Sequence, residues 1–267
     1  FLIFLRRFGI REKQSHSTFT DVELNACSRC GICIDKCQLS SDLEINNIQP
    51  AYFLRDLRDR KPDLFKTETC LICGRCNTNC PVGIENTNIR LNERSVDQVF
   101  SSKAYDYIGK QEVKSGKIAF FAGCMGHLNP LTTKAMLTLF DQAGIEFTFV
   151  DENGSICCGR PLKLSGNFKA AENLVFKNKE LIRESQAEIL VTTCPICYKM
   201  FREDYSLDIP VYHHSEYLLK LVEEKKLDPG FSPSTVVYHD PCELGRGSGI
   251  YEQPRRLIAR SHSLVEA

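Results

Sequence analysis

The sequence carries no excess of charge of either sign, with 34 Lys and Arg against 34 Asp and Glu. A chain so balanced has no overall field to draw it to polyanions, and a nucleic-acid partner is excluded. It also lacks a long apolar run. The opening Phe1-Leu2-Ile3-Phe4-Leu5-Arg6-Arg7 looks like the cytoplasmic exit of a membrane helix, but falls far short of the ~20 apolar residues that cross a bilayer. Residues 1–19 are therefore expected to be a terminal segment, either frayed or packed on the surface, or else the end of a membrane helix. The first residue is Phe and no complete signal-peptide layout follows, so the chain reads as a fragment. No Walker A motif and no flavin or nicotinamide fingerprint is present. Gly245, Gly247 and Gly249 follow a strand-like stretch but lack the G-x-G-x-x-G spacing, and read as a glycine-rich turn.

What the sequence does have is cysteine, 14 in 267 residues. They fall in tight groups whose members are too close in sequence to pair well with one another, which favours metal or cluster binding in a reducing compartment over a disulfide framework. The rest of the composition, 42% apolar and 25% charged, is that of a globular chain, and the length suits two domains.

The pattern along the chain divides it. Residues 20–110 are cysteine-dense with short helical stretches. Asn47-Ile48-Gln49-Pro50 reads as a helix start, with Ala51, Leu54 and Leu57 at helical spacing until Lys61-Pro62, and a second helix is expected from Glu85 to Phe100 with Ile89, Val96, Val99 and Phe100 on one face. Residues 116–232 alternate strand and helix, which predicts a parallel sheet with helices on its faces. Strands are expected at 118–122, 146–150, 188–192 and 235–239, and helices at 130–143, 168–185 and 215–226. Residues 233–267 look like the start of a second, truncated copy of that domain, because His239-Asp240-Pro241-Cys242 repeats the strand-then-Cys arrangement of Phe121-Ala122-Gly123-Cys124. The expected class is α+β multidomain: a mainly helical dicluster domain followed by an α/β cysteine-rich domain with a parallel sheet.

Cys27, Cys30, Cys33 and Cys37 form C-x2-C-x2-C-x3-C, and Cys70, Cys73, Cys76 and Cys80 form it again, followed by Pro81. A cubane needs four thiolates at tetrahedral corners. Three come from one short loop, and in two-cluster ferredoxins the fourth ligates the other cluster. Cys27, Cys30, Cys33 and Cys80 are therefore assigned to one [4Fe–4S] cluster, and Cys70, Cys73, Cys76 and Cys37 to the other. Gly31 and Gly74 stand between thiolates, where a missing side chain would let backbone N–H groups approach the sulfurs. Zinc also uses C-x2-C pairs, but it closes with four ligands and does not call for a double run of eight. Gln38 stands where Pro often follows the first run, a departure that touches no ligand.

A second constellation comprises Cys124, Cys157-Cys158-Gly159 and Cys194-Pro195-Ile196-Cys197. Each piece follows an expected strand, and ligands bind at the carboxyl ends of strands in open parallel sheets. On these residues, with Gly159-Arg160-Pro161-Leu162, the sequence resembles the cysteine-rich CCG domain of the B-type and D-type heterodisulfide reductase proteins. The resemblance implies a third [4Fe–4S] cluster of non-cubane form on Cys124, Cys157, Cys158, Cys194 and Cys197, where disulfide chemistry occurs. The order of two ferredoxin motifs and a cysteine-rich domain also resembles the iron–sulfur subunits of anaerobic glycerol-3-phosphate dehydrogenase, glycolate oxidase and lactate oxidation complexes. That likeness implies a relay of electrons between a flavoprotein dehydrogenase or other redox protein and a quinone-type acceptor. It places the chain in the cytoplasm, with association at the inner face of the membrane as an open alternative. Two departures stand out: a full family member has two CCG domains, and here Cys242 alone represents the second. Reactive thiols or a vicinal disulfide at Cys157 and Cys158, without iron, remain an alternative.

Two functional classes are compatible with these motifs, an electron-transfer subunit and a disulfide reductase in its own right. Storage or assembly of clusters has no specific feature behind it. His127, His213, His214 and His239 are expected near the sheet edge as hydrogen-bonding residues, and no residue is assigned a catalytic role. Arg160 and Lys163 read as solvated surface cations.

Overall fold

The computed structural model describes residues 25–40, 50–59, 64–94, 113–154 and 156–266. These divide into two compact units: the first holds the described residues up to 94 together with 164–167, and the second holds the remainder.

Among its described residues the first unit is built of short helices: α1 (Ile32–Asp35), α2 (Pro50–Arg58), α3 (Leu64–Thr69), α4 (Arg75–Thr78) and α5 (Asn86–Asn92). Pro50 opens α2, where its missing N–H would have had no helical partner. The buried face of α2 is Phe53 and Leu54, which pack with Ile84 and Ile89, with Leu57 and the cysteines Cys27 and Cys80 against them. The expected start of this helix at 47–49 lies outside the described residues. So do Val96, Val99 and Phe100 of the second expected helix, described here as α5.

The second unit contains a four-stranded sheet in the order β2-β1-β3-β4, formed by β1 (Ile118–Phe121), β2 (Phe147–Phe149), β3 (Ile189–Thr192) and β4 (Val211–His213). All pairs are parallel, with Ile118 beside both Phe147 and Ile189, and Leu190 beside Val211. Every residue of β1 is buried, as a central strand covered on both faces requires, and this explains its unbroken apolar run. On one side Phe120 packs with Met136, Phe140, Val191, Tyr217 and Leu221. On the other, Phe121 packs with Val150, Leu190, Phe201 and Tyr205. Edge-to-face ring pairs fix both sides, Phe120 on Phe140 at 5.5 Å and Phe121 on Phe201 at 5.0 Å between centroids.

The helices of this unit are α6 (Gly123–Leu128), α7 (Pro130–Gln142), α8 (Arg160–Leu164), α9 (Phe168–Glu184), α10 (Pro195–Glu203) and α11 (His214–Glu223). The chain passes from β1 to β2 on one flank and from β3 to β4 on the other. The order therefore reverses between β1 and β3, and loops leaving their carboxyl ends diverge there.

A separate two-stranded parallel sheet joins β5 (Thr235–Val237) to β6 (Ser263–Val265) through α12 (Gly245–Ser248) and α13 (Glu252–Ser261). The glycine-rich run is thus one helical turn, ended by Gly249 in the left-handed conformation at φ 74°. In this unit α6, α8, α10, β4, α13 and β6 had no sequence expectation. Strand β4 is only three residues long, and α13 is a polar helix whose buried residue is Pro254, so neither leaves a strong apolar period.

Candidate functional site

The two cysteine loops of the first unit have the same backbone. In each, a residue with positive φ precedes the middle cysteine (Arg29 at 57°, Ile72 at 52°) and a left-handed glycine follows it (Gly31 at 81°, Gly74 at 72°). A Cβ on either glycine would meet nothing within 4 Å. Both glycines supply the left-handed conformation that the turn needs. The turn aims backbone N–H groups at sulfur: Ile72 donates to Cys70 Sγ at 3.4 Å and Ile84 to Cys80 Sγ at 3.3 Å. Asn77 ties the second loop to α5 through Thr87, donating to its Oγ1 at 2.7 Å and accepting its N–H at 3.2 Å. Arg94 holds the carbonyl of Cys70 at 2.5 Å.

Two cavities lie among these cysteines. One is lined by Cys27, Cys30, Cys33 and Cys80, with Leu54, Ile84 and Asn86 among its other walls. The second is lined by Cys37, Cys70, Cys73 and Cys76, with Arg90 and Thr87. Each set is the three-plus-one grouping expected from the spacing. Among the described residues no three His, Cys, Asp or Glu side chains are arranged to hold a single metal ion. A cluster asks for something different, four thiolates spread around a void, and the donor sets and spaces present suit it. Burial pushes the Cys37 thiol up and the Cys76 thiol up to about 12, so metallation here is coupled to proton release.

Arg90 was not singled out by sequence reasoning. It is 2% exposed, lies on α5, and places its guanidinium 4.5 Å from the Phe53 ring centre. The expected apolar face of that helix drew attention to Ile89, and no periodic signal marks an arginine beside it.

In the second unit Cys124 lies in α6 after β1, Cys157 and Cys158 lie in the loop between β2 and α8, and Cys194 and Cys197 bracket the start of α10 after β3. The fold brings all five to the carboxyl edge of the sheet. Hydrogen-bonding contacts run in a chain from Cys124 to Cys157, Cys158, Cys197 and Cys194. Cys124 is exposed, whereas Cys157, Cys158 and Cys197 are 2% exposed and Cys194 is 8%. Protons are shared unevenly along this chain. Contact with Cys157 and then Cys197 holds Cys158 below the ordinary thiol value, and contact with Cys197 brings Cys194 down to about 7. Contacts with Cys158 and Cys194, with burial, push Cys197 well up, and the bond to Cys157 pushes Cys124 up.

The supports of this site are buried polar groups. Asp151, fully buried after β2, accepts the N–H of Ala122 at 2.8 Å and of Gly123 at 2.7 Å, fixing the turn that presents Cys124. The same carboxylate lies 3.3 Å from His127 Nε2 and raises the His127 pKa. Gly123 has φ 75°, and a Cβ there would sit 2.9 Å from Cys197 Sγ, so only glycine lets the Cys124 loop close over that sulfur. Asn178 donates to the carbonyl of Cys157 at 2.8 Å, and Tyr205 Oη donates to that of Cys158 at 3.0 Å. Thr193 Oγ1 donates to the Ala122 carbonyl at 3.2 Å, joining the ends of β3 and β1.

Arg160 is not a solvated cation. It is 3% exposed and pairs with Glu243 Oε1 at 3.1 Å, while Lys199 holds Glu243 Oε2 at 3.1 Å. Lys163 is likewise paired, with Asp204 at 2.6 Å. Burial of an arginine needs a partner, and that partner lies 83 residues away in sequence, beyond local reading. Cys242 accepts a hydrogen bond from Arg246 at 2.8 Å. His213 caps α11, accepting the Ser215 N–H, and His239 is exposed.

Comparison with known proteins agrees with this arrangement. The 4Fe-4S dicluster domain family matches residues 23–84 and the cysteine-rich CCG domain family matches residues 118–202. The D-type protein of the dihydromethanophenazine:CoB–CoM heterodisulfide reductase of Methanosarcina acetivorans is 25% identical, over 89% of this chain and 73% of that protein. The chain carries a 4Fe-4S dicluster domain followed by a cysteine-rich CCG domain, the order that its similarity to the heterodisulfide reductase D-type protein also follows. The B-type protein of the CoM/CoB fumarate reductase of Methanothermobacter marburgensis is 25% identical over 88% of this chain. The EtfAB:quinone oxidoreductase of Syntrophomonas wolfei is 31% identical over 55% of it. The chain spans 55% and 22% of the length of these two relatives. No solved structure matches. Among the described residues no helix is long and apolar enough to cross a membrane.

Proposed function

We propose that Cys27, Cys30, Cys33 and Cys80 hold one [4Fe–4S] cluster, that Cys37, Cys70, Cys73 and Cys76 hold a second, and that Cys124, Cys157, Cys158, Cys194 and Cys197 hold a third of non-cubane form. The chain then serves as an electron-transfer subunit of an oxidoreductase, between a flavoprotein dehydrogenase and a quinone-type acceptor, in the cytoplasm or at the inner face of the membrane. The observation that carries this reading is the pair of cavities, each lined by three cysteines of one loop and one of the other. When bound, the clusters supply one-electron donor and acceptor sites. The chain's own residues hold the sulfurs in place, aim N–H groups at them and exclude water, which together set the potential.

Anaerobic iron and sulfide analysis with low-temperature EPR tests the assignment. About twelve irons per chain, with one signal unlike the other two, is the expected result, and about eight would leave only the clusters of the first unit. Colourless protein holding zinc would refute it.

A second reading, reduction of a disulfide at the five-cysteine site, draws support from the exposure of Cys124 at the rim of four buried cysteines. Assay of the full-length protein with an artificial electron donor and a disulfide separates the two. A relay alone shows no turnover until its flavoprotein partner is added.

A further inference from the structure

We infer that Arg90 makes the cluster held by Cys37, Cys70, Cys73 and Cys76 the more easily reduced of the two in the first unit, so that an electron entering this unit comes to rest there. The inference rests on the cluster assignment proposed above. Reduction adds one electron to a cluster, taken from the redox partner or from dithionite in a titration, and makes that cluster one unit more negative. Whatever positive charge lies near and is shielded from water stabilises the reduced form and raises the potential.

The two cavities differ in this respect. Arg90 lines the second cavity at 2% exposure, carried on α5 and stacked over Phe53. An arginine guanidinium carries a full positive charge. Half-buried Arg75 lines the same cavity and adds charge of the same sign. Among the described residues, the charged one lining the first cavity is Arg29, which is exposed and screened by water. Its buried polar wall, Asn86, carries no net charge.

EPR-monitored reductive titration of the full chain, purified without oxygen, tests the inference. Arg90→Gln should shift the reduction equilibrium of this cluster at least tenfold against reduction, a fall of 59 mV for a one-electron couple. Arg90→Lys should recover most of that shift, and the potential of the other cluster should hold in both variants. A merely structural arginine would move neither potential. Should Arg90→Gln lose iron, the unaltered chain decides: Cys73→Ser should alter the signal that appears first on reduction, and Cys30→Ser the later one. The reverse order, or an iron-replete Arg90→Gln protein with unmoved potentials, overturns the inference. A chain without iron would overturn the assignment beneath it, a result that the iron count separates from an unmoved potential.

Discussion

Replacing Asp151 by Ala should loosen the turn that presents Cys124 and remove a large part of the second unit's stability. Asp151 is fully buried, and its two oxygens accept the N–H groups of Ala122 and Gly123 at 2.8 and 2.7 Å. Alanine strands both donors away from water, each at a cost of ~1–3 kcal/mol, so about 4 kcal/mol in all is expected. Asn keeps one acceptor but turns an amide N–H toward the other donor, and about half that loss should follow. Anaerobic urea unfolding measures both as a lower midpoint with unchanged slope. The pH dependence supplies a second check. Asp151 raises the pKa of His127 above its ordinary 6.5, so the pair's contribution is complete below that value and fades as pH rises through the folded-state pKa. The gap between the parent and Asp151→Asn should therefore be wider at acid than at alkaline pH. A loss under about 0.5 kcal/mol in the alanine variant, within the range of an ordinary surface change, or a gap that widens as pH rises, refutes the reasoning.

A buried histidine gives the opposite sign. Burial holds His213 down to about 2, so its contribution is full above pH 6.5 and is lost as pH falls, at about 2 kcal/mol by pH 5. A second-unit unfolding midpoint that stays level from pH 7 to pH 5 would contradict this. Gly123→Ala, whose Cβ would meet Cys197 Sγ at 2.9 Å, should lower the iron count from about twelve toward about eight while sparing the clusters of the first unit. Unchanged iron would show that this close approach is dispensable. Removing iron with a chelator should melt the first unit and leave the second folded, as read by hydrogen exchange resolved along the chain.

The grouping of cysteines around the two cavities of the first unit was legible because three of each four are local. A loop that puts Cys27, Cys30 and Cys33 within seven residues leaves the chain few ways to separate them, and the crossing fourth follows from the repeat. The gathering of the five cysteines in the second unit was legible for another reason: each follows a strand, and parallel strands end on one edge. What failed was the reading of isolated charges. Arg90, Arg160 and Asp151 sit in no pattern, and their burial is set by partners 83 residues away for Arg160 and 28 residues away for Asp151. A charged residue looks solvated in sequence until the fold supplies what it pairs with. The short strand β4 escaped for a related reason, since three residues carry too little alternation to register.

The contrast in packing explains why iron should matter differently to the two units. In the second, aromatic and aliphatic side chains fill both faces of a parallel sheet; the apolar cluster around Phe120 holds no proposed ligand, whereas the one around Phe121 includes Cys158, Cys194 and Cys197 among many aromatic and aliphatic side chains. In the first, the described apolar cluster is Phe53, Leu54, Ile84 and Ile89, with Leu57, Cys27 and Cys80 against it. Two of those partners are proposed ligands, so the walls of the core and the walls of the cluster site are the same residues. Where the walls of a core are also ligands, the free energy of metal binding becomes free energy of folding. Because each proposed cluster takes a ligand from the opposite loop, losing either one releases both loops at once. Melting of the first unit on chelation should accordingly be a single cooperative step, and two separate steps would argue that the fourth ligands do not cross.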